Sequence, residues 1–246
     1  MKPIWEGGAI LNPMLHVNEI SSGYGKITIL RDIDFQVKEN EVVAIIGSNG
    51  AGKTTLLKTI SNLIPATTGK ILFQGKDIVK FPPHMITQLG IAHIPEGGKL
   101  FANMTVYENL LMGTYNHRKN FQKSVLEEIY QIFPVLKQRE KQLAKTLSGG
   151  EKQMLSIGRG LASQPKFIML DEPSQGIAPK LVDDIYNKLS ILKEKGLTVL
   201  LIEQNINYAL HLAERAYVLE NGKIVMDGSS KELLNSEHIK KHYLGL

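Results

Sequence analysis

The sequence contains no cysteine. This absence excludes disulfide scaffolds, thiolate metal sites, iron–sulfur clusters and a cysteine nucleophile. Long apolar runs are also missing, because the longest, Val42–Ile46 and Thr198–Ile202, fall far short of the about 18 residues of a membrane span. The N-terminus does not read as a secretory signal, since Glu6, Gly7 and Gly8 interrupt any apolar stretch. We therefore expect a soluble protein that stays in the compartment where it is made.

The composition is that of an ordinary globular protein. Among 246 residues, 43% are hydrophobic and 22% are charged, which excludes disordered and collagen-like chains. The 29 lysines and arginines exceed the 24 aspartates and glutamates, so the formal net charge is +5. A modest positive charge favours an anionic partner. It does not choose among nucleic acid, a phosphate ligand and a lipid surface.

The apolar patterns predict an α/β fold with a parallel sheet. Val42–Ile46 is apolar on both faces, as in a central strand that is covered on both sides. Phe167–Leu170 and Leu197–Ile202 have the same character. Helical patterns lie between or beside these strands, and strands separated by helices indicate a doubly wound sheet. The predicted helices are Lys53–Leu63, Ser148–Ala162 and Pro179–Lys195.

Other segments complete the predicted organisation. Residues 1–13 show no period and are predicted to be an N-terminal tail, followed by one domain over residues 14–246. Ile33–Val37 alternates like a half-exposed strand. Asn221-Gly222, between two strand-like runs, predicts a two-residue hairpin turn. The stretch of about residues 105–160 reads as helical, and we predict that it is a helical subdomain inserted between two sheet strands.

A glycine-rich loop follows the first buried strand and opens a helix. It matches the Walker A pattern, in which glycines let backbone N–H groups surround phosphate oxygens and the helix directs its positive end at them. Lys53 is expected to reach the β- and γ-phosphates, and the Thr54 hydroxyl to ligate Mg²⁺. The alternative is a glycine-rich turn that precedes a lysine by chance. The predicted nucleotide-binding residues here are Gly47, Ser48, Asn49, Gly50, Ala51, Gly52, Lys53, Thr54 and Thr55.

Two adjacent carboxylates end the strand Phe167–Leu170. Neighbouring strand residues point to opposite faces, so Asp171 and Glu172 are expected to do different work. Asp171 could hold Mg²⁺ from the strand edge, and Glu172 could orient the attacking water as a general base. Taken alone, such a pair is also typical of a solvated strand end or a helix N-cap.

A second glycine motif begins another predicted helix. Ser148 is expected to be its N-cap, and Gly149 and Gly150 leave the first N–H groups accessible. The simple interpretation is a capped helix start. The functional one is a second anion-binding helix end in a chain with one nucleotide loop. We therefore predict that this motif acts on a nucleotide held by another copy.

The order of these three motifs resembles that of the ATPase subunits of ABC transporters, from about Met14 to the C-terminus. The resemblance implies a P-loop domain with a parallel sheet core, an N-terminal antiparallel β portion and an inserted helical subdomain. It also implies ATP and Mg²⁺ as ligands. By analogy, Tyr24 would stack on the adenine. The alternative for Tyr24 is an aromatic residue in a tight turn.

Within that family, three further stretches are similar to the ATPase subunits of branched-chain amino acid importers, more than to those of lipid or drug exporters. They are Ile94–Gly97, Ser174–Pro179 and Leu201–Asn205. They also depart from the broader pattern. Glu96 stands where most relatives have a glutamine near the metal and water, Ala178 where an aspartate is usual, and Gln204 where a histidine is usual.

The resemblance implies the ATP-hydrolysing subunit of an importer, with Lys53, Glu172 and Gln204 as catalytic residues and Thr54, Asp171 and Glu96 at the metal. The implied partners are membrane permease subunits, a second identical or homologous ATPase subunit and, indirectly, an extracytoplasmic amino-acid-binding protein. The implied location is the cytoplasmic face of the cell membrane, and no nucleic acid is expected. Two alternatives stay open. One is a soluble ATPase of this type that acts on nucleic acid or in translation, and the other is a regulatory subunit that binds ATP without turnover.

Overall fold

The computed structural model describes residues 13–115 and 123–241, and residues 1–12 of the predicted tail lie outside them. The strands are β1 (Leu15–Tyr24), β2 (Ile27–Val37), β3 (Val42–Ile46), β4 (Ala66–Phe73), β5 (Lys76–Asp77), β6 (Ile91–Ile94), β7 (Phe167–Asp171), β8 (Thr198–Glu203), β9 (Arg215–Glu220) and β10 (Lys223–Ser229). The helices are α1 (Lys53–Ile60), α2 (Pro83–Gln88), α3 (Val106–Gly113), α4 (Lys123–Ile132), α5 (Pro134–Gln138), α6 (Gly149–Leu161), α7 (Pro179–Glu194), α8 (Ile206–Leu212), α9 (Ser230–Asn235) and α10 (Glu237–Ile239).

The larger sheet of the described residues has the strand order β10-β9-β3-β8-β7-β6. Its strands run parallel except β10, which returns antiparallel to β9 after the turn at Asn221-Gly222. The expected central strand is confirmed, because β3 pairs with β8 on one side and β9 on the other, and all five of its residues are buried. The carboxyl ends of β3, β7 and β8 therefore meet at one edge, where parallel α/β sheets place their ligands.

A smaller antiparallel sheet precedes and covers the larger one. Its order is β2-β1-β4-β5 within the described residues, which confirms the antiparallel β portion implied by the resemblance. Register shifts interrupt β1 on both of its edges, and Glu19 and Asp32 adopt positive φ angles near them. Such bulges bend a strand and increase its twist. The smaller sheet can thus curve over the larger one.

The apolar side chains of β3 divide between two cores. Val43 and Ile45 join the core formed with the smaller sheet and α1. Val42, Ala44 and Ile46 join the core formed with helices such as α6, α7 and α8 on the other face. This alternation explains why β3 is apolar at every position. Because both faces of β3 are packed, the loop that follows β3 starts from a fixed position between two packed layers.

The stretch that was predicted as a helical subdomain contains α3, α4, α5 and α6 in its described part, and it lies between β6 and β7 in the chain. Its treatment as a separate subdomain stays a prediction. Among the residues that the structure describes, no helix has both the length and the apolar character needed to cross a membrane.

Candidate nucleotide-binding site

The glycine-rich loop connects β3 to α1, as the sequence predicts. Gly47 lies so close to the chain that a Cβ there would be 2.3 Å from the Leu219 carbonyl oxygen. Gly52 has φ 109°, a left-handed conformation that glycine adopts without strain, and it is the N-cap of α1. The Gly222 amide donates to the Ala51 carbonyl at 2.9 Å, so the β9–β10 hairpin supports the loop from outside.

Lys53 points back into this loop. Its Nζ donates to the carbonyl oxygens of Gly47 at 2.9 Å and Ser48 at 3.1 Å. The same Nζ lies 2.9 Å from Glu172 Oε1, and Lys53 is only 4% exposed. The loop therefore concentrates its one buried ammonium group where phosphate oxygens would enter, and charge-assisted hydrogen bonds to phosphate are the strong kind.

Asp171 lies beside the first turn of α1. The Thr54 hydroxyl donates to Asp171 Oδ1 at 3.1 Å. Burial raises the pKa of Asp171 to about 6; the Thr54 hydrogen bond and Lys53 act in the opposite direction, while the charges of Glu172 and Glu96 raise it further. A cation beside such a buried carboxyl group favours its ionised form.

The arrangement fits a magnesium ion. Asp171 Oδ2 is buried and has no hydrogen-bond partner in the described part of the chain, so one lone-pair face is available. No group of three or more histidine, aspartate or glutamate side chains in residues 13–115 and 123–241 forms a ready-made metal site. That is the usual situation for Mg²⁺, which takes one or two protein ligands together with phosphate oxygens and water. Thr54 and Asp171 could supply those protein ligands.

A cavity of about 450 Å³ opens in front of the loop. It brings together residues from the loop, from the predicted carboxylate pair and from the segment that contains Glu96. Two of its residues, Ile29 and Gln175, were not among the predicted site residues. Gln175 belongs to a motif that the sequence displays, whereas nothing local distinguishes Ile29. The lining residues are Ile29, Asn49, Gly50, Gly52, Lys53, Thr54, Thr55, Glu96, Glu172 and Gln175.

The second glycine motif starts α6 as predicted. Ser148 Oγ accepts from the Glu151 amide at 3.3 Å, and Glu151 Oε2 accepts from the Ser148 amide at 2.9 Å, which is a capping box. These hydrogen bonds lower the pKa of Glu151, the backbone one most. Ser148, Gly149 and Gly150 do not line the described cavity, and the nearest atom to a Cβ built at Gly149 is the Gly176 carbonyl oxygen at 3.7 Å. Their action on a nucleotide stays a prediction.

Tyr24 and Gln204 lie at the carboxyl ends of two strands, β1 and β8. Tyr24 ends β1, is 48% exposed and does not line the described cavity, so its stacking on adenine stays a prediction. Gln204 follows β8 directly. Its side chain is exposed, and its backbone N–H donates to Glu203 Oε2 at 3.0 Å. Both positions leave the side chain accessible to a ligand.

Comparison with known proteins agrees with this geometry. The family described as ABC transporter matches residues 30–175. The chain is 45% identical over 232 residues to the high-affinity branched-chain amino acid transport ATP-binding protein BraG of Pseudomonas aeruginosa, covering 94% of this chain and 100% of BraG. It is 38% identical to the probable branched-chain amino acid transport ATP-binding protein LivF of Archaeoglobus fulgidus, covering 95% and 99%.

The fold comparison points the same way. The crystal structure of the ADP conformation of MJ1267, an ATP-binding cassette of an ABC transporter, matches with a TM-score of 0.80 and 30% identity, covering 95% of this chain and 99% of that one. The P-loop α/β fold and the family resemblance drawn from the three motifs are both confirmed. The chain belongs to the ABC transporter family.

Proposed function

We propose that this chain is the ATP-hydrolysing subunit of an importer for branched-chain amino acids, and that it works with Mg²⁺ at the cytoplasmic face of the membrane. ATPase activity is a property of the cassettes of this family. The observation that carries the residue assignment is the contact of Lys53 with Glu172 at 2.9 Å beside the Thr54–Asp171 hydrogen bond of 3.1 Å. Four groups with the chemistry of phosphoryl transfer thus share one site.

The roles follow from position and charge. The amides of the loop from Gly47 to Thr55 and the ammonium of Lys53 bind the phosphates. The stacking of Tyr24 on the adenine is proposed from the family resemblance. Glu172 lines the cavity and is the general base that orients the attacking water and accepts its proton. Gln204 adds a hydrogen bond to the water or the γ-phosphate. Bound Mg²⁺ would neutralise phosphate charge, held by Thr54 and Asp171 with Glu96 nearby.

A second copy completes the site. Ser148, Gly149 and Gly150 lie outside the cavity of their own chain, at a helix start where Ser148 and Gly149 are exposed and Gly150 is buried. In the proposed dimer they contact the nucleotide bound by the partner subunit, where N–H groups at a helix end favour an anion. ABC ATPase subunits work as dimers with membrane permease partners, and this arrangement uses both motifs of each chain.

The amino acid specificity is proposed from the relatives. Both BraG and LivF carry branched-chain amino acid transport in their names. The permease would carry the substrate across the membrane, and an extracytoplasmic binding protein would deliver it. This chain would supply the work of ATP hydrolysis.

Uptake in cells tests the proposal. A strain that lacks this chain should lose uptake of labelled leucine, isoleucine and valine and regain it with the parent chain but not with Glu172→Gln. Uptake of labelled glutamate is the control and should not change. Pull-down of the tagged parent chain should recover permease subunits from detergent-solubilised membranes. Unchanged leucine, isoleucine and valine uptake in the deletion strain would contradict the substrate assignment.

A further inference from the structure

Glu203 is a buried carboxylate that the roles above do not use. It is the last residue of β8 and is 1% exposed. Its Oε1 accepts from the Ser174 amide at 3.1 Å and from the Tyr186 hydroxyl at 2.7 Å. Its Oε2 accepts from the backbone N–H groups of Gln204 at 3.0 Å and Asn205 at 3.2 Å. Donors from the described residues thus surround both oxygens.

These hydrogen bonds join two loops at the carboxyl edge of the larger sheet. Ser174 lies in the loop from residue 172 to 178, which begins with Glu172 and includes the cavity residue Gln175. Gln204 and Asn205 form the loop that leads into α8. The Glu172 amide also donates to the Ile202 carbonyl at 2.9 Å. One carboxylate therefore fixes the start of both loops that carry proposed reacting groups.

The chemistry of the position demands a carboxylate. An ionised carboxylate accepts at about four lone-pair sites and donates at none, and four donors face Glu203 here. A buried charge without such partners would be costly. Tyr186 is itself fixed, because its ring packs on Tyr208 with centroids 4.8 Å apart and Tyr208 donates to Asp183 at 2.6 Å. The surroundings hold Glu203 in one orientation.

We propose that Glu203 is a positioning residue for ATP hydrolysis, which sets Gln204 and the loop after β7 at the right place relative to Glu172. This assignment rests on the proposed ATPase roles of Glu172 and Gln204. Glu203 touches no substrate in it. It acts by holding two loops in register, and small misplacements of reacting groups lower a rate by large factors.

Glu203→Gln is the first test, because it keeps the shape and replaces one oxygen by a donor. The new NH₂ can face Tyr186, whose hydroxyl can turn to accept, while the remaining oxygen stays with Gln204 and Asn205. The Ser174 amide then faces a donor and is released. We expect kcat for ATP to fall about 10-fold with KM changed less than about 2-fold, and NMR-detected hydrogen exchange at the Ser174 amide to rise at least about 10-fold.

Tyr186→Phe is the matched control. It removes a buried hydrogen bond to the same oxygen but leaves all three loop amides with their acceptor. It should change kcat and exchange at Ser174 less than about 2-fold. A general loss of core stability would affect both variants alike, and thermal unfolding of each variant measures that contribution.

Two results would overturn the assignment. One is normal kcat in Glu203→Gln with rapid exchange at Ser174, and the other is an equal loss of kcat in Glu203→Gln and Tyr186→Phe. If Glu203→Gln does not fold, Glu203→Asp replaces it, since the shorter carboxylate keeps its charge but cannot reach both loops. A parent chain without ATP turnover would instead overturn the proposed function, which separates the two failures.

Discussion

Lys53 and Glu172 form a buried ion pair, with Lys53 Nζ 2.9 Å from Glu172 Oε1 and side chains 3% and 8% exposed. The pair joins the start of α1 to the residue that follows β7. Glu172 has φ 47°, so the backbone turns directly after Asp171 and carries the second carboxylate toward the glycine-rich loop. The group that would bind the γ-phosphate and the group that would accept the proton of water are therefore immediate neighbours.

The first prediction concerns that pair. Glu172→Gln keeps the size of the side chain but removes its basicity, so the attacking water loses its proton acceptor. ATP turnover should fall at least about 100-fold. Binding of a fluorescent ATP analogue should persist, because Lys53 and the loop amides remain. Phosphate release and analogue binding are the two measurements.

The same variant should also accumulate an ATP-bound dimer, which size-exclusion chromatography with ATP would detect. Formation of the ATP-bound dimer does not require hydrolysis, so it still occurs in a variant that cannot hydrolyse ATP. Glu194→Gln, at the end of α7, is a control that keeps the same chemical change far from the loop. Near-normal hydrolysis in Glu172→Gln would show that another group is the base.

The buried centre of this fold could be predicted from sequence, and its antiparallel cover only in outline. Val42–Ile46 is apolar throughout because both of its faces are buried, and this pattern needs no knowledge of distant residues. β1 shows no such pattern. Its register shifts between Val17 and Ile20 and again near Ser22, and each shift breaks the alternation of apolar and polar residues.

The motif residues of the site could also be predicted, because each motif is a short contiguous string. Their supports could not. The Leu219 carbonyl lies against Gly47 and the Gly222 amide donates to the Ala51 carbonyl, yet both residues lie far along the chain in a hairpin. Ile29 reaches the cavity from β2, and only the packing of the smaller sheet on the larger one brings it there. Such contacts follow from topology and leave no local signal.

The second prediction concerns Gln204, which stands where the family resemblance implies a histidine. Gln204→Ala should lower kcat more than ATP affinity, since the water and the γ-phosphate would lose a positioned hydrogen bond. Gln204→His should keep appreciable turnover but add a pH dependence, because imidazole titrates around pH 6.5. The pH profile of turnover for the parent and both variants is the measurement. Unchanged turnover in Gln204→Ala would make the residue a spectator.

The third prediction tests action between subunits. Lys53→Ala and Gly149→Asp subunits should each be inactive alone and regain hydrolysis when mixed, because a mixed dimer keeps one intact loop facing one intact partner motif. Random exchange makes about half of the dimers mixed, so about a quarter of the parent turnover is expected. Phosphate release from the mixture, with mixed dimers verified by two affinity tags, measures it.

Gly149 suits that experiment better than Gly150. A Cβ at Gly149 would lie 3.7 Å from its nearest neighbour, an ordinary contact, whereas a Cβ at Gly150 would lie 2.7 Å from Leu181 Cδ1. The Cβ of Gly149→Asp therefore fits in ordinary contact, and the variant adds a negative charge. Gly149→Ala is the control for the added Cβ and should stay active alone. Verified mixed dimers without recovery would count against action in trans or against independent sites.

The fourth prediction concerns Asp171, whose pKa burial raises from 3.8 to about 6. A carboxyl group whose pKa is raised in the fold lowers the stability of the fold as pH rises, because the unfolded chain loses its proton first. The penalty is therefore absent below about pH 4, grows between the two pKa values and is complete above about pH 6. About two units correspond to about 3 kcal/mol at 1.36 kcal/mol per unit. Asp171→Asn keeps an oxygen for the Thr54 hydroxyl and removes the charge. It should unfold at higher denaturant concentration than the parent at pH 7.5, and the difference should disappear near pH 4.

Asp184→Asn, at a carboxylate that is 45% exposed, is the control and should change stability little at either pH. ATP binding by the Asp171→Asn variant should depend little on Mg²⁺, because the variant lacks the buried carboxylate charge that would bind the ion. Equal stability of the parent and Asp171→Asn at pH 7.5 would show that ionised Asp171 does not destabilise the fold.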